Sequence, residues 1–505
     1  MWYYFEHMPR FNYQIITHVM GFLLLCNGGF MLLGVLASWY YDDGVTAQIS
    51  AAAMLVLFSG LSMMFFTRDH GKEVRIREGY LVVSLGWVLL SLSGSLPYVF
   101  SGAIPSFSNA FFETVSGYTT TGASILTDIE VIPRGILLWR SLTHWIGGMG
   151  IIVLAVAILP MLGVGGMQLF SAESPGPVAD KLKPRVSDIA KRLWLIYFGF
   201  TFVQALLLKL AGMNFFDAIN HALSTMATGG FSTKNASAAY WNDQPVIQYI
   251  LIVFMFLAGM NFVLSYYGFK GNFRRVFRDD EFRWYLGFIL LFSLITALTI
   301  YYEADLGLSS LEHPQVWGRA ESAFRHALFM VLSIITTTGY VSADYTLWAP
   351  LTSALFFGLL FLGGSAGSTA GGVKVMRHLI MIRNGIMQFK RALHPNAVLP
   401  IRFNGKAVKN EIVFNVLGFF ILYLLSFIIG AVVLAALGLD LISALGGAAT
   451  SLGNVGPAFG SLGPVNNFSG LPTLAKWWCC LLMLIGRLEL FTFLILFTPY
   501  FWRNR

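Results

Sequence analysis

Charge is what this sequence has least of. Only 11% of its 505 residues are Asp, Glu, Lys or Arg, against 56% hydrophobic, and the mean hydropathy is +0.68. A soluble domain carries about 25% charged residues, so a soluble enzyme is excluded and an integral membrane protein of many helices is implied. Cysteine is nearly absent. Cys26, Cys479 and Cys480 lie in apolar stretches and offer neither a disulfide framework nor metal-ligand spacing. There is no HExxH, no P-loop Gly-Lys-Ser/Thr and no GxSxG. His144, His221 and His326 sit singly on largely apolar segments, without the paired spacing that haem requires. An enzymatic reading therefore has nothing to stand on. Residues 1–10 lack a compact charged region and a small-residue cleavage site, so the first apolar stretch is expected to be retained.

What the chain has instead is a short phrase, used four times. Thr119-Thr120-Thr121-Gly122 and Thr336-Thr337-Thr338-Gly339-Tyr340 are near copies. Ala227-Thr228-Gly229-Gly230-Phe231 and Asn454-Val455-Gly456-Pro457 are looser ones. Each follows a short helix-like run and precedes a long apolar segment. One such phrase reads as an ordinary turn; four at matching positions read as a repeat. Inside a membrane, a Thr-rich run ending in Gly can turn its backbone carbonyls toward an axis and replace the hydration shell of an ion. Gly serves there because carbonyls facing one way need backbone angles that a Cβ resists.

Basic residues cluster at 68–77, 181–192, 270–283 and 374–409, in loops that alternate with the Gly phrases. Basic loops stay in the cytoplasm, so the phrases are expected to enter from outside. The runs are short and abut helix ends, which argues against a nucleic-acid partner. The predicted architecture is an all-α polytopic membrane protein: a leading hairpin (1–75, spans 15–41 and 48–66) packed outside the core, then four span–re-entrant helix–filter–span repeats around a pseudo-fourfold pore. The repeats run 76–165, 186–270, 283–385 and 408–505. Their short helices fall at Pro105 to Val115, 215–226, 319–335 and 440–451, and their returning segments at 135–160, 245–268, from Trp348, and 473–500.

The third returning segment contains Gly363-Gly364-Ser365-Ala366-Gly367-Ser368-Thr369-Ala370-Gly371-Gly372, then Lys374. Each Gly costs a helix about 1 kcal/mol relative to Ala. The run reads as an unwound stretch beneath the filter that obstructs or opens the path, with close helix packing as the alternative. The other returning segments lack such a run. Arg487 lies in the last span. A charge there costs roughly 2.5–3.5 kcal/mol and marks ion paths, so it is expected to repel the permeant cation and to hold the Gly-rich run by its carbonyls; a salt bridge to a neighbouring carboxylate is the alternative. Asp217, Glu321 and Asp440 sit near the starts of short helices, where a carboxylate favours the positive end of the dipole. Glu113 sits too far along its helix for that, and a hydrogen bond to nearby filter backbone is expected for it.

Several motifs together resemble one family. Trp145-Ile146-Gly147-Gly148-Met149-Gly150, Leu162-Gly163-Val164-Gly165-Gly166-Met167-Gln168, Ala227 to Ser232, His394-Pro395-Asn396-Ala397-Val398 and Gly486-Arg487-Leu488-Glu489 look like the Trk-system potassium uptake proteins (TrkH/TrkG) of the wider Trk/Ktr/HKT superfamily. The resemblance covers nearly all of the chain after the hairpin. It implies K⁺ uptake across the bacterial inner membrane, with K⁺ held at Thr120, Thr121, Gly122, Thr228, Gly229, Gly230, Thr337, Thr338, Gly339, Asn454, Val455 and Gly456. Gly in all four phrases implies K⁺ preference. The gate would comprise Gly363, Gly364, Gly367, Gly371, Gly372 and Arg487. The resemblance further implies a homodimer with one pore per protomer and a TrkA-like cytoplasmic ring that binds NAD or ATP, this chain itself carrying no covalent cofactor. The basic 374–409 loop would be the docking surface. Symport of K⁺ with H⁺ or Na⁺ would use a titratable group in the path, for which Glu113 and Asp217 are the candidates; a non-conducting regulatory subunit would not need four Gly phrases. Ala123, where a channel has an aromatic, and the loose fourth phrase depart from a K⁺-channel signature and bear on selectivity over Na⁺ and Rb⁺.

Overall fold

The architecture is described from a computed structural model covering residues 11–68, 75–158, 186–303, 311, 313–397 and 399–502, with backbone alone at 76, 149–158 and 186–191. The 162–168 motif, Arg10, Lys72, the cationic residues at 181–185, Val398, Arg503 and Arg505 lie outside the described residues.

Helices account for almost all regular structure. Among the described residues, six helices are long and apolar enough to cross a membrane, and up to eight if two sharply bent pairs each count as one span. The leading hairpin is α1 (Tyr13–Tyr41) and α2 (Thr46–Phe66). Asn12 opens α1 by accepting from the Ile15 amide at 3.1 Å, and Asp42 closes it in a left-handed conformation (φ 50°). The hairpin does more than line the outside. Buried Asn27 of α1 donates to Ser93 Oγ at 2.9 Å and accepts from the Tyr118 hydroxyl at 2.5 Å, which ties it to the end of the first short helix.

The first repeat-like unit holds α3 (Ile76–Gly94), the short α4 (Leu96–Phe100), the short α5 (Phe107–Tyr118) and the long α6 (Arg134–Ile158). The second holds α7 (Val186–Leu210), α8 (Phe215–Met226), α9 (Pro245–Gly259) and α10 (Phe262–Phe269). After α11 (Phe273–Arg278), the third comprises α12 (Asp280–Tyr302), α13 (Arg319–Ile335), α14 (Pro350–Leu359) and α15 (Val375–Leu393). The fourth comprises α16 (Asn410–Ala436), α17 (Leu441–Gly453), α18 (Thr473–Arg487) and α19 (Phe491–Leu494). Between α15 and α16 lies a two-stranded ribbon, Arg402–Phe403 paired antiparallel with Lys406–Ala407, a small departure from an all-helical chain.

The apolar faces explain the assembly. α16 is strongly apolar and only a minority of its residues are buried in the protein, as a lipid-facing span requires. The short helices α5, α8, α13 and α17 are buried along their C-terminal halves.

Two returning segments, 245–268 and 473–500, are sharply bent. α9 turns into α10 at 111°, and α18 turns into the run Phe491–Phe497 at 113°. At the first break, Asn261 starts a new helix by accepting from the Val263 amide at 2.8 Å. At the second, Glu489 and Leu490 take left-handed φ of 53° and 57°. The Gly-rich run of the third unit supplies what the first break lacks: the Ser365 amide donates to the Gly259 carbonyl (2.9 Å) and the Phe262 amide to the Gly367 carbonyl (3.1 Å). Non-helical backbone at membrane depth is tolerated because each unwound stretch satisfies the other.

Candidate functional site

The four Gly phrases share one backbone. Just past each short helix stands a residue with left-handed φ: Thr120 at 55°, Thr228 at 55°, Thr337 at 55° and Asn454 at 54°. Two residues later comes a Gly with positive φ: Gly122 at 80°, Gly230 at 80°, Gly339 at 75° and Gly456 at 103°. The residue between donates its amide to the helix five positions back: Thr121 to Ser116, Gly229 to Ser224, Thr338 to Ser333 and Val455 to Thr450, at 2.8–3.1 Å. Alternating handedness turns successive carbonyls to one side, and the helix consumes the amides. Asn is among the few L-residues at ease in the left-handed region, so the fourth phrase, loose as a sequence, fits the shared backbone. The three Thr are not at ease there. A β-branched residue at φ 55° is strained by about 1–3 kcal/mol, and sequence reasoning assigned the need for positive φ to Gly alone.

The phrases approach one another in a closed ring. A Cβ on Gly122 would run into the carbonyl oxygen of Gly229, one on Gly230 into that of Thr338, and one on Gly339 into that of Val455. One on Gly456 would lie 2.6 Å from the carbonyl oxygen of Thr121. Thr120, Thr121, Thr228, Thr337, Thr338, Asn454 and Val455 are all buried. Among the described residues, no hydrogen bond is directed at the backbone carbonyls of the Thr/Asn, middle and Gly residues of any phrase. These carbonyls sit at the C-terminal, negative ends of four short helices. Such an arrangement can coordinate a dehydrated cation.

Directly against this ring lies the Gly-rich run. The Gly371 amide donates to Thr337 Oγ1 at 2.7 Å. Thr369 Oγ1 donates to the Met226 carbonyl at 3.0 Å. Buried Arg487 donates from Nη1 to the Thr369 carbonyl (2.9 Å) and from Nη2 to the Gly147 carbonyl (2.9 Å), so it touches both the Gly-rich run and α6. Gly147, where a Cβ would strike the Tyr118 carbonyl, lets α6 pass this close beneath α5. Two further ties were not anticipated. Buried Glu281, at the start of α12, accepts from the Ala366 amide within the run at 2.7 Å and from the Met376 amide in the first turn of α15 at 3.2 Å. Glu489 pairs with Arg377 of α15.

The carboxylates of the short helices are engaged. Asp440 caps α17 through the Ser443 amide at 3.1 Å. The cap of α8 is Asn214, and Asp217 instead accepts from Thr233 Oγ1 (2.5 Å) and the Asn214 side chain (2.6 Å). Glu321 accepts from the Tyr249 hydroxyl (3.0 Å) and Arg325 (2.9 Å). Glu113 accepts from the Ile125 amide at 2.9 Å, just beyond the first phrase, and pairs with Arg140 at 2.7 Å. The two groups considered for coupled transport, Glu113 and Asp217, are thus hydrogen-bonded into the walls. His144 and His326 each face a serine hydroxyl (Ser224, Ser342) at 3.0–3.1 Å, and His221 faces the Asp217 carbonyl and Ser232.

Known proteins match nearly the whole length of this chain. The family model described as "TrkH: Cation transport protein" matches residues 46–503. The Trk system potassium uptake protein TrkH of Salmonella typhimurium is 40% identical over 496 residues, covering 98% of this chain and 100% of the relative. TrkG of Escherichia coli K12, also named a Trk system potassium uptake protein, is 33% identical over 500 residues, with 98% and 100% covered. The crystal structure of the potassium transporter TrkH from Vibrio parahaemolyticus superposes with a TM-score of 0.85 at 38% identity, covering 97% of this chain and 100% of that one.

Proposed function

We propose a gated K⁺ uptake pathway for this chain, which belongs to the TrkH family of cation transport proteins. The observation that carries the reading is the closed ring of four phrases whose Thr/Asn, middle and Gly carbonyls accept no hydrogen bond among the described residues. In this reading the four repeats are four walls of one path. K⁺ sheds its water and is held by Thr120 to Gly122, Thr228 to Gly230, Thr337 to Gly339 and Asn454 to Gly456. Carbonyl oxygens replace hydration oxygens, and four helix C-termini lower the cost of a cation there. The Gly-rich run at 363–372 is the gate. Arg487 holds it by the Thr369 carbonyl and sets a positive charge beside the path, which opposes a passing cation while the gate is closed. The phrases face the outside of the bacterial inner membrane and the basic loops the cytoplasm. A homodimer and a nucleotide-binding, TrkA-like ring docked on 374–409 complete the assembly, with opening driven by nucleotide on that partner.

The test is cation flux into proteoliposomes of the purified protein, comparing K⁺, Rb⁺ and Na⁺, beside Gly339→Ser, with the cytoplasmic ring added where flux is low. K⁺-preferring flux that loses its preference in the variant is the expected result. Flux indifferent to Gly339→Ser would reject the ring as the filter.

A further inference from the structure

The four seams of the ring are closed by unlike chemistry. Between the second and third strands, the Tyr340 hydroxyl donates to the His221 carbonyl (3.1 Å) and the Ala239 amide to the Val341 carbonyl (2.9 Å). Between the third and fourth, the Tyr345 hydroxyl donates to the Ala458 carbonyl at 2.7 Å. Between the fourth and first, the Asn454 side-chain amide donates to Thr121 Oγ1 (3.0 Å) and the Phe468 amide to the Ser124 carbonyl (2.8 Å). At the seam of the first and second strands an ion pair reaches the strand backbone directly. The Arg325–Glu321 pair beside the second and third strands instead bonds side chains of the second unit, Gln248 and Tyr249. Arg140 Nε donates to Glu113 Oε1 at 2.7 Å, and the side chains are only 3% and 0% exposed, so the pair is shielded from solvent. Glu113 also accepts from the Ser124 hydroxyl (2.9 Å) and the Ile125 amide (2.9 Å), beyond the first strand. Arg140 Nη1 donates to the Ser232 carbonyl (3.0 Å), beyond the second. Its guanidinium also lies 3.5 Å from the centre of the Phe231 ring, whose other neighbour is the His144 imidazole at 3.8 Å.

We propose that the buried Arg140–Glu113 pair is a positioning clasp that sets the gap between the first and second strands, and through it the preference for K⁺ over the smaller Na⁺. The proposal rests on the filter reading above. To coordinate Na⁺ at full strength, the ring's carbonyls would have to draw closer together. A strand whose outer end is held by a desolvated charge pair resists that movement, because charge-assisted bonds are stronger than neutral ones and stronger still away from water. Only a guanidinium spans this site. Its planar fork reaches the carboxylate and the Ser232 carbonyl at once while stacking on Phe231, whereas an ammonium on the same helix is a point charge. Neither side chain directs a hydrogen bond at the ring's own carbonyls, so the pair acts through the backbone it holds.

The test measures the ratio of K⁺ to Na⁺ affinity in the purified full-length protein, from the salt dependence of its melting temperature. That ratio does not depend on the gate or on the number of folded molecules. Removing one member would strand a buried charge and threaten folding; the double variant Glu113→Gln/Arg140→Gln removes both, and Arg140→Lys keeps the charge. The expected result is a ratio about tenfold lower in the double variant, the equivalent of about 1.4 kcal/mol, with Arg140→Lys falling between it and the parent. A merely structural pair would lower the melting temperature and leave the ratio where it was. Gly230→Ser serves as the reference. If it moves the ratio and neither clasp variant does, the clasp is refuted and the filter stands. If Gly230→Ser also leaves the ratio unchanged, the filter reading fails and takes the clasp with it. Should the double variant not fold, an unchanged ratio in Arg140→Lys alone refutes the clasp.

Discussion

Replacing Thr337 by Val isolates the contact between the Gly-rich run and the ring. The Thr337 hydroxyl accepts from the Gly371 amide at 2.7 Å, in a site where both residues are buried. Val keeps the β-branched shape at φ 55° but offers no acceptor, so the Gly371 amide loses its partner whenever the Gly-rich run sits as described. An unsatisfied buried donor costs about 1–3 kcal/mol. That cost falls on the closed arrangement alone if the run leaves this position when the path opens. At about 1.4 kcal/mol per tenfold, the open fraction should rise about 5- to 150-fold until the path is open most of the time. Initial-rate K⁺ flux into proteoliposomes, normalised to reconstituted protein, measures it. The K⁺/Na⁺ ratio should stay put, because the carbonyls of the ring are unchanged. Flux that is equal to or lower than the parent's, in a variant with normal melting behaviour, would refute the view that this bond holds the gate closed.

Arg487→Gln should likewise raise K⁺ flux severalfold, since it removes both the positive charge and part of the hold on Thr369; unchanged flux at normal expression would reject the gate role. Gly339→Ala should be more damaging to K⁺ flux than Gly456→Ala, because its Cβ meets the Val455 carbonyl head-on while that of Gly456 lies 2.6 Å from the nearest oxygen; equal losses would contradict the ring geometry. Asn27→Leu leaves the Tyr118 hydroxyl and Ser93 without their shared partner, and should lower stability by about 1–3 kcal/mol, read as a drop in melting temperature. Hydrogen bonds from Ser443 hold the exposed Asp440 carboxyl below the ordinary carboxylate range. A depressed folded-state value means the cap's contribution is complete above the unfolded value and fades as pH falls through the folded one. Asp440→Asn, which keeps an acceptor but does not titrate, should therefore flatten the acid limb of the melting-temperature profile.

Much of this was legible in the chain because it is local. The short helix expected at 319–335 is observed as Arg319–Ile335, and the one expected at 440–451 runs Leu441–Gly453. Gly and apolar periodicity mark such elements within a dozen residues. The expected hydrogen bond from Glu113 to backbone near the first phrase is present at Ile125. The bends were harder to see. Gly259-Met260-Asn261 pairs a flexible residue with a helix-starting one, a signal that was available but weak beside the long apolar run around it. At Glu489 and Leu490 no Gly marks the left-handed turn. Arg140 could not be read at all, since its partners lie 27 and 92 residues away and only the folded chain brings them together.

The amides of the ring carry a further consequence. In every phrase the first two residues give their N–H groups to their own short helix, as Thr120 does to Gly117 and Thr121 to Ser116. A strand with those donors already committed cannot zip onto the strand beside it. Four extended segments packed this tightly would otherwise be candidates to pair edge to edge and seal the middle. The middle of the ring is thus protected from its own backbone by the hydrogen bonding its strands have already completed elsewhere.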